Sequence, residues 1–307
     1  MASGPRRSRG VYGVLRMGNA AVPDRSPPLP AKLTSLLPPA GALSAQEVAD
    51  RLGLPRLPDR PARPYVMLNM VSSADGRATI GGRSGPLGNA ADRALFHALR
   101  TVVDAVMAGA GTVRTERYGR IIAQESRRQL RRSRGLSEEP LACIVSGRLA
   151  LDCELPLLST PQAHVAIITS SQASLTGCAA RIEYIRSLRD GLLDLPAALA
   201  ALHERFAVRT LLCEGGPHLN SHLLAAGLVD ELFLTVAPKL AGGDPASGES
   251  LRIVAGPALE QPVELELRAV LESESHLLLR YGVRAPERVS RAERVSRETT
   301  SSTSLAS

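Results

Sequence analysis

The chain has 307 residues, 44% of them hydrophobic and 3% aromatic, with four cysteines and a formal net charge of +7. That is enough apolar material for one large core or two small ones, but no apolar run approaches the ~20 residues of a membrane span and the N-terminus lacks the apolar stretch of a secretory signal. The charge lies at the ends, with ten Lys/Arg against four Asp/Glu in residues 1–64, five against three in 284–307 and 22 against 23 between, which argues against a nucleic-acid partner for the folded part.

In chain order, residues 1–42 are rich in Pro, Arg, Ser and Gly, as disordered or extended segments are. Ser44-Ala45-Gln46-Glu47 has the pattern of a capping box and starts a short helix to about Leu52. Arg56 to Arg63 is a Pro-broken linker. Tyr65 to Val71 reads as a buried strand. Asn89 to Arg100 reads as a helix, with Asn89 as N-cap and Ala91, Leu95, Ala98 and Leu99 along one face. Val102 to Ala108, Leu141 to Val145 and His164 to Thr169 read as strands, and Arg181 to Ile185 as a short one. The basic cluster Arg127 to Arg134 has no aromatic interleaving and reads as an exposed loop. Asp194-Leu195-Pro196 opens a helix to about Phe206. A strand from Val208 to Cys213 leads through Glu214-Gly215-Gly216-Pro217-His218 into a helix from Leu219 to Ala226, stopped by Gly227. Glu231 to Ala237 is a strand. Val263 to Val270 and His276 to Tyr281 suit an antiparallel hairpin.

Alternating strands and helices imply an α/β fold, a mixed, mostly parallel sheet flanked by helices with an antiparallel edge. The expected organisation is an N-terminal extension with one short helix (1–62), a single catalytic-size domain (63–283) and a polar tail (284–307). Cys143, Cys153, Cys178 and Cys213 show neither close pairing nor His partners at zinc spacing, so reduced cytosolic thiols and no metal are expected.

The candidate chemistry lies at strand ends. Two glycines after Glu214 let the backbone approach a ligand closely, and the following helix start offers free N–H donors to a phosphate. Pro217 suits the first helical position. Gly109-Ala110-Gly111-Thr112 ends another strand, but lacks the full dinucleotide fingerprint. Asn69, a polar residue in a buried strand, needs a partner or a job. Arg100 can clamp a phosphate or serve as a dipole partner at its helix end. Ser84 is a further phosphate contact or plain loop. A Ser170-Ser171 pair is a candidate for a 2′-phosphate.

In order, the chain contains Arg-Pro-Tyr-Val-x-Leu-Asn-Met-x-x-Ser-x-Asp-Gly from Arg63, Ala-Gly-Ala-Gly-Thr-Val-Arg from Ala108, Cys-Glu-Gly-Gly-Pro-x-Leu from Cys213, and Gly-Leu-Val-Asp-Glu-Leu from Gly227. Over residues 63–283 this resembles the riboflavin-pathway pyrimidine reductases, the family of the C-terminal reductase domain of bifunctional riboflavin deaminase-reductases. The resemblance implies a dihydrofolate-reductase-like fold, a homodimer and a cytoplasmic enzyme. The implied reaction is NADPH-dependent reduction of the ribosyl group of a (di)amino-ribosylamino-pyrimidinone 5′-phosphate to ribityl. It further implies catalytic roles for Asn69 and Glu214. Substrate contacts would come from Ser84, Arg100, Arg120 and Glu214. Cofactor contacts would come from Thr112, Glu116, Ser146, Gly215, Gly216, Pro217, His218, Leu219 and Asn220. Several positions depart from the family pattern. Asn69 replaces the Lys of the bacterial bifunctional enzymes. Glu116 replaces an Asp that is followed by Asp-Pro. Pro86 stands where an aromatic commonly stacks. With no deaminase zinc pattern upstream, the chain is expected not to be bifunctional. A same-fold reductase with a drifted substrate such as dihydrofolate, and a catalytically silent nucleotide-binding protein, are the alternatives.

Overall fold

A computed structural model describes residues 32–54, 62–243 and 251–284. Of residues 1–42, read as disordered or extended, 1–31 lie outside the described residues; residues 33–43 are extended and paired, as strands β1 (Leu33–Leu37) and β2 (Pro39–Leu43). Helix α1 (Ala45–Asp50) follows, and Ser44 and Glu47 close the expected capping box. The remaining strands are β3 (Tyr65–Ser73), β4 (Ala105–Gly109), β5 (Leu141–Val145), β6 (His164–Thr169), β7 (Arg181–Arg186), the short β8 (Leu188–Arg189) and β9 (Leu192–Leu193), β10 (Thr210–Cys213), β11 (Glu231–Ala237), β12 (Leu265–Ser273) and β13 (His276–Val283). The helices are α2 (Ala90–Arg100), α3 (Ala110–Thr115), α4 (Glu125–Ser133), α5 (Leu195–Phe206) and α6 (Pro217–Ala225). Asn89 and Asp194 cap α2 and α5 as their positions suggested.

Eleven strands form one sheet in the order β2-β1-β12-β13-β11-β3-β10-β4-β5-β6-β7. From β11 to β7 all neighbours are parallel. From β13 to β2 all are antiparallel. The mixed sheet with an antiparallel edge is therefore as expected. The edge is longer than the anticipated hairpin because β1 pairs with β12 and carries β2 outside it.

The inner parallel strands are largely buried on both faces, and their side chains alternate between two cores. Met67, Val106, Ile144, Ile167 and Leu212 face one core with Leu95, Leu99 and Val113 of the helices. Val66, Leu68, Met107, Cys143, Ile168 and Leu211 face the other with Leu199, Leu202 and Leu223. One face thus carries α2 and α3, the other α5 and α6.

Two further expectations are corrected. The cluster from Arg127 to Arg134 is not a loop; most of it is helix α4. Its Arg131 is 0% exposed and donates to the carbonyls of Arg100 (2.8 Å), Val103 (2.6 Å) and Ser137 (2.8 Å). Burial pushes its pKa down to about 10. Arg128 and Arg132 pair with Glu125 and Glu138, and Arg134 with Asp50. The basic run is thus spent on internal partners. The cysteines are not all reduced either: Cys153 and Cys178 form a disulfide, while Cys143 and Cys213 are buried and free. A separation of 25 residues carries no local signal of pairing, since only the fold brings the two loops together. The expected tail after residue 284 lies outside the described residues.

Candidate functional site

In a parallel sheet every strand's carboxyl end points the same way, so its loops meet at one rim. A cavity of about 1000 Å³ opens there, at the ends of β3, β4, β5 and β10. Asn69 from β3, Thr112 from α3, Ser146 after β5 and Glu214 after β10 all line it. Ser84, Arg100, Glu116 and Arg120 line it as well, together with Gly216, Pro217, His218 and Leu219.

The glycine turn is shaped by close approach. Gly215 has φ +91°, and a side chain there would meet the Met70 thioether at 3.3 Å. A Cβ on Gly216 would lie 2.9 Å from the Thr112 hydroxyl. The Gly109 N–H donates to the Gly215 carbonyl at 2.8 Å, stitching the β4–α3 turn to the β10–α6 turn. The Gly215–Gly216 peptide is cis. Helix α6 starts at Pro217 with no side-chain cap on its N-terminus, so its first N–H groups are open to an anion.

Two members of the expected cofactor set stand back from the cavity. Gly215 is buried behind the turn. Asn220 is 0% exposed, and its amide donates to the Ile253 carbonyl at 2.8 Å and contacts the Met70 sulfur. It braces the turn from inside rather than facing a ligand.

The expected phosphate contacts are already engaged by carboxylates. Ser84 donates its backbone N–H and its hydroxyl to Glu116, both at 2.9 Å. Arg120 pairs with Glu138 at 3.1 Å and with Glu139. Arg100 holds Glu214 in a two-pronged pair, Nε to Oε1 and Nη2 to Oε2, each 2.7 Å, and gives Nη1 to the Ile121 carbonyl at 2.9 Å. Burial works against the Arg100 charge, but the Glu214 carboxylate outweighs it and holds the guanidinium above its usual range. Ser170, the candidate for a 2′-phosphate, donates instead to the Gly147 carbonyl at 3.0 Å.

Two side chains at this floor were not anticipated. Phe96 stacks under Arg100, with Cζ 4.1 Å from the ring centroid. The Tyr118 hydroxyl donates to Glu214 Oε2 at 2.7 Å. Burial first, and the Glu214 charge second, push that phenol well above its ordinary pKa, so it stays a neutral donor. Its contact spans 96 residues of sequence. The one visible signal was the departure at residues 116–118, where Glu-Arg-Tyr stands in place of Asp-Asp-Pro.

Among the described residues no group of three or more His, Cys, Asp and Glu is placed to hold a metal, and no helix is long and apolar enough to cross a membrane. A model of the RibD C-terminal domain matches residues 64–279. The riboflavin biosynthesis protein RibD of Actinobacillus pleuropneumoniae is 29% identical over 238 residues, 73% of this chain and 58% of that protein. The chain thus spans little more than half of that relative. The 2,5-diamino-6-ribosylamino-4(3H)-pyrimidinone 5′-phosphate reductase of Archaeoglobus fulgidus is 29% identical over 194 residues, 59% of this chain and 83% of that one. A pyrimidine reductase-like protein from Corynebacterium diphtheriae has the same fold, with a TM-score of 0.63, 24% identity, and coverage of 79% of this chain and 99% of that one.

Proposed function

We start from the fact that this chain belongs to the RibD C-terminal domain family, and propose that it is a riboflavin-pathway reductase. Its substrate would be a (di)amino-ribosylamino-pyrimidinone 5′-phosphate, whose ribosyl group becomes ribityl. The observation that carries this reading is the convergence of Asn69, Thr112, Ser146, Glu214 and Gly216 on one cavity at the sheet's carboxyl rim.

NADPH is the coenzyme we infer, and the residues present fit it. The close approach of Gly216 to Thr112 leaves a cradle that a Cβ would fill, and the uncapped start of α6 beside it suits a phosphate. Thr112, Ser146, Gly216, Pro217 and His218 would hold the dinucleotide, whose bound nicotinamide supplies a hydride. The chain's own residues bind and align. Asn69, midway along β3, would sit beside the reacting sugar. Glu214, neutralised by Arg100, gives the floor a fixed hydrogen-bonding pattern without net charge. Because Arg100 is committed to Glu214 and Arg120 to Glu138 and Glu139, the arginines left to meet a substrate phosphate are Arg93, Arg114, Arg117 and Arg148, all lining the cavity. A homodimeric, cytoplasmic enzyme completes the reading.

The commitment of Ser84 and Arg100 to carboxylates favours testing a second substrate, dihydrofolate, beside the first. Purified protein is given NADPH or NADH with the diaminopyrimidine ribotide, or with dihydrofolate, and loss of reduced-nicotinamide absorbance is followed. The expected result is turnover of the ribotide with NADPH preferred. Turnover of dihydrofolate alone replaces the substrate, and no turnover with either overturns the reductase reading.

A further inference from the structure

Tyr118 belongs to none of the motifs, yet it reaches the carboxylate at the floor of the cavity. Its backbone is pinned on both sides: its N–H donates to the Val113 carbonyl at 3.1 Å and its carbonyl accepts from the Leu157 N–H at 2.8 Å. The ring therefore leaves a fixed point just past α3. At its far end the hydroxyl meets Glu214 Oε2 at 2.7 Å. Three elements thus converge on one carboxylate: Arg100 from the end of α2, Glu214 from the end of β10, and Tyr118 from the segment after α3. Glu214 has a side chain only 1% exposed, and its two oxygens accept three donors.

We propose that Tyr118 is a positioning residue for the reduction, acting through Glu214: its hydroxyl fixes the carboxylate, and with it the Arg100 guanidinium, as the surface on which the substrate is seated. The inference rests on the reductase reading. A guanidinium–carboxylate fork is geometrically specific within itself; the Ile121 carbonyl holds its Arg100 end at Nη1, and the Tyr118 hydroxyl, from a separate pinned element, holds its Glu214 end. The Arg100 carbon also lies 5.5 Å from the Tyr118 ring centroid, close enough for the ring face to attract the cation. The phenol remains protonated, so it orients and does not serve as a base. Misplacement at the reacting centre costs rate out of proportion to the distance moved, and a residue of this kind shows itself in kcat rather than in coenzyme affinity.

Tyr118→Phe removes only the hydroxyl and keeps the ring. With the diaminopyrimidine ribotide and NADPH, kcat is expected to fall about tenfold, while the dissociation constant for NADPH, read by fluorescence titration, stays within about twofold. Glu214→Gln and the double variant complete a cycle; because Tyr118 acts through Glu214, adding Tyr118→Phe to Glu214→Gln costs nothing further. An unchanged kcat in Tyr118→Phe, or losses that multiply in the double variant, overturns the proposal. The contact is also read without turnover. Ultraviolet titration of the tyrosines should show one phenol titrating at lower pH in Glu214→Gln than in the parent, and no difference there overturns the pairing. A parent protein that leaves the ribotide unreduced overturns the reductase reading and the positioning role with it, and the titration then still reports whether the hydrogen bond exists.

Discussion

The Arg100 guanidinium sends its hydrogen bonds to Glu214 and to the Ile121 carbonyl, and this changes what its removal does. Taking it away strands a carboxylate whose side chain is 1% exposed. Breaking a buried pair in this way costs about 3–5 kcal/mol. Arg100→Ala should therefore lower the urea midpoint sharply, measured by equilibrium unfolding. A midpoint left unchanged, with only KM for a phosphorylated substrate raised, would return Arg100 to the phosphate-clamp role. Lysine should not restore the midpoint, because it cannot make the two-pronged contact. Asp75 gives a pH signature. The Ser73 hydroxyl, then the N–H groups of Ala241 and Gly242, hold its carboxyl down from an ordinary 3.8 to about 2. A depressed carboxyl contributes its stabilisation above the unfolded value and loses it as pH falls through the folded one. The docking of residues 241–242 should thus weaken as pH drops from about 4 toward about 2. Hydrogen exchange at the Ala241 and Gly242 amides would register this, and protection unchanged across that window would refute it.

Among the elements, the strand pair β1–β2 has the most to lose from being read as a tail. β1 covers the outer side of β12 through Thr34, Ser35 and Leu37. Without it, the nine residues of β12 would present a bare ladder of N–H and C=O groups, a template for pairing with another chain. A chain beginning at residue 44 should therefore self-associate more than the full chain, as seen by light scattering at matched concentration; equal scattering would show that β12 needs no cover. The sequence hides this pair for a physical reason. Leu-Thr-Ser-Leu-Leu-Pro-Pro-Ala-Gly-Ala-Leu has two prolines and little alternation, and its strand character comes from β12, more than 200 residues away. Helix α4 escaped for a related reason, since its inward residue is Arg131, whose burial rests on carbonyls supplied by other segments. By contrast β5, β6 and β11 could be read to the residue, because their apolar runs are complete within themselves. The same division holds at the site. That Asn69 of β3, Thr112 of α3 and Glu214 after β10 line the cavity was legible from motifs. The partners of Arg100, Ser84 and Arg120 were not, because each contact joins residues far apart in the chain.

At the scale of the whole molecule, the Cys153–Cys178 bridge closes a loop of 25 residues. Chain-entropy arguments assign such a closure about 3 kcal/mol, drawn from the unfolded state. A dithiol reductant should lower Tm by several degrees, and Cys153→Ser should reproduce the shift and then respond no further to reductant. A Tm indifferent to both would mean that the bridge does not form in solution. The bridge also lies just beyond Ser146 to Ala150, which form part of the cavity wall, and the Arg114 side chain holds the Ala150 carbonyl at 2.6 Å from the opposite side. The redox state of the surroundings should therefore set how firmly this stretch of the wall is held. With the bridge closed, the segment after Ala150 is tied to the loop at Cys178; with it open, the far end of that stretch keeps the Arg114 contact, while Thr169 and Ser170 still hold Gly147 at the near end.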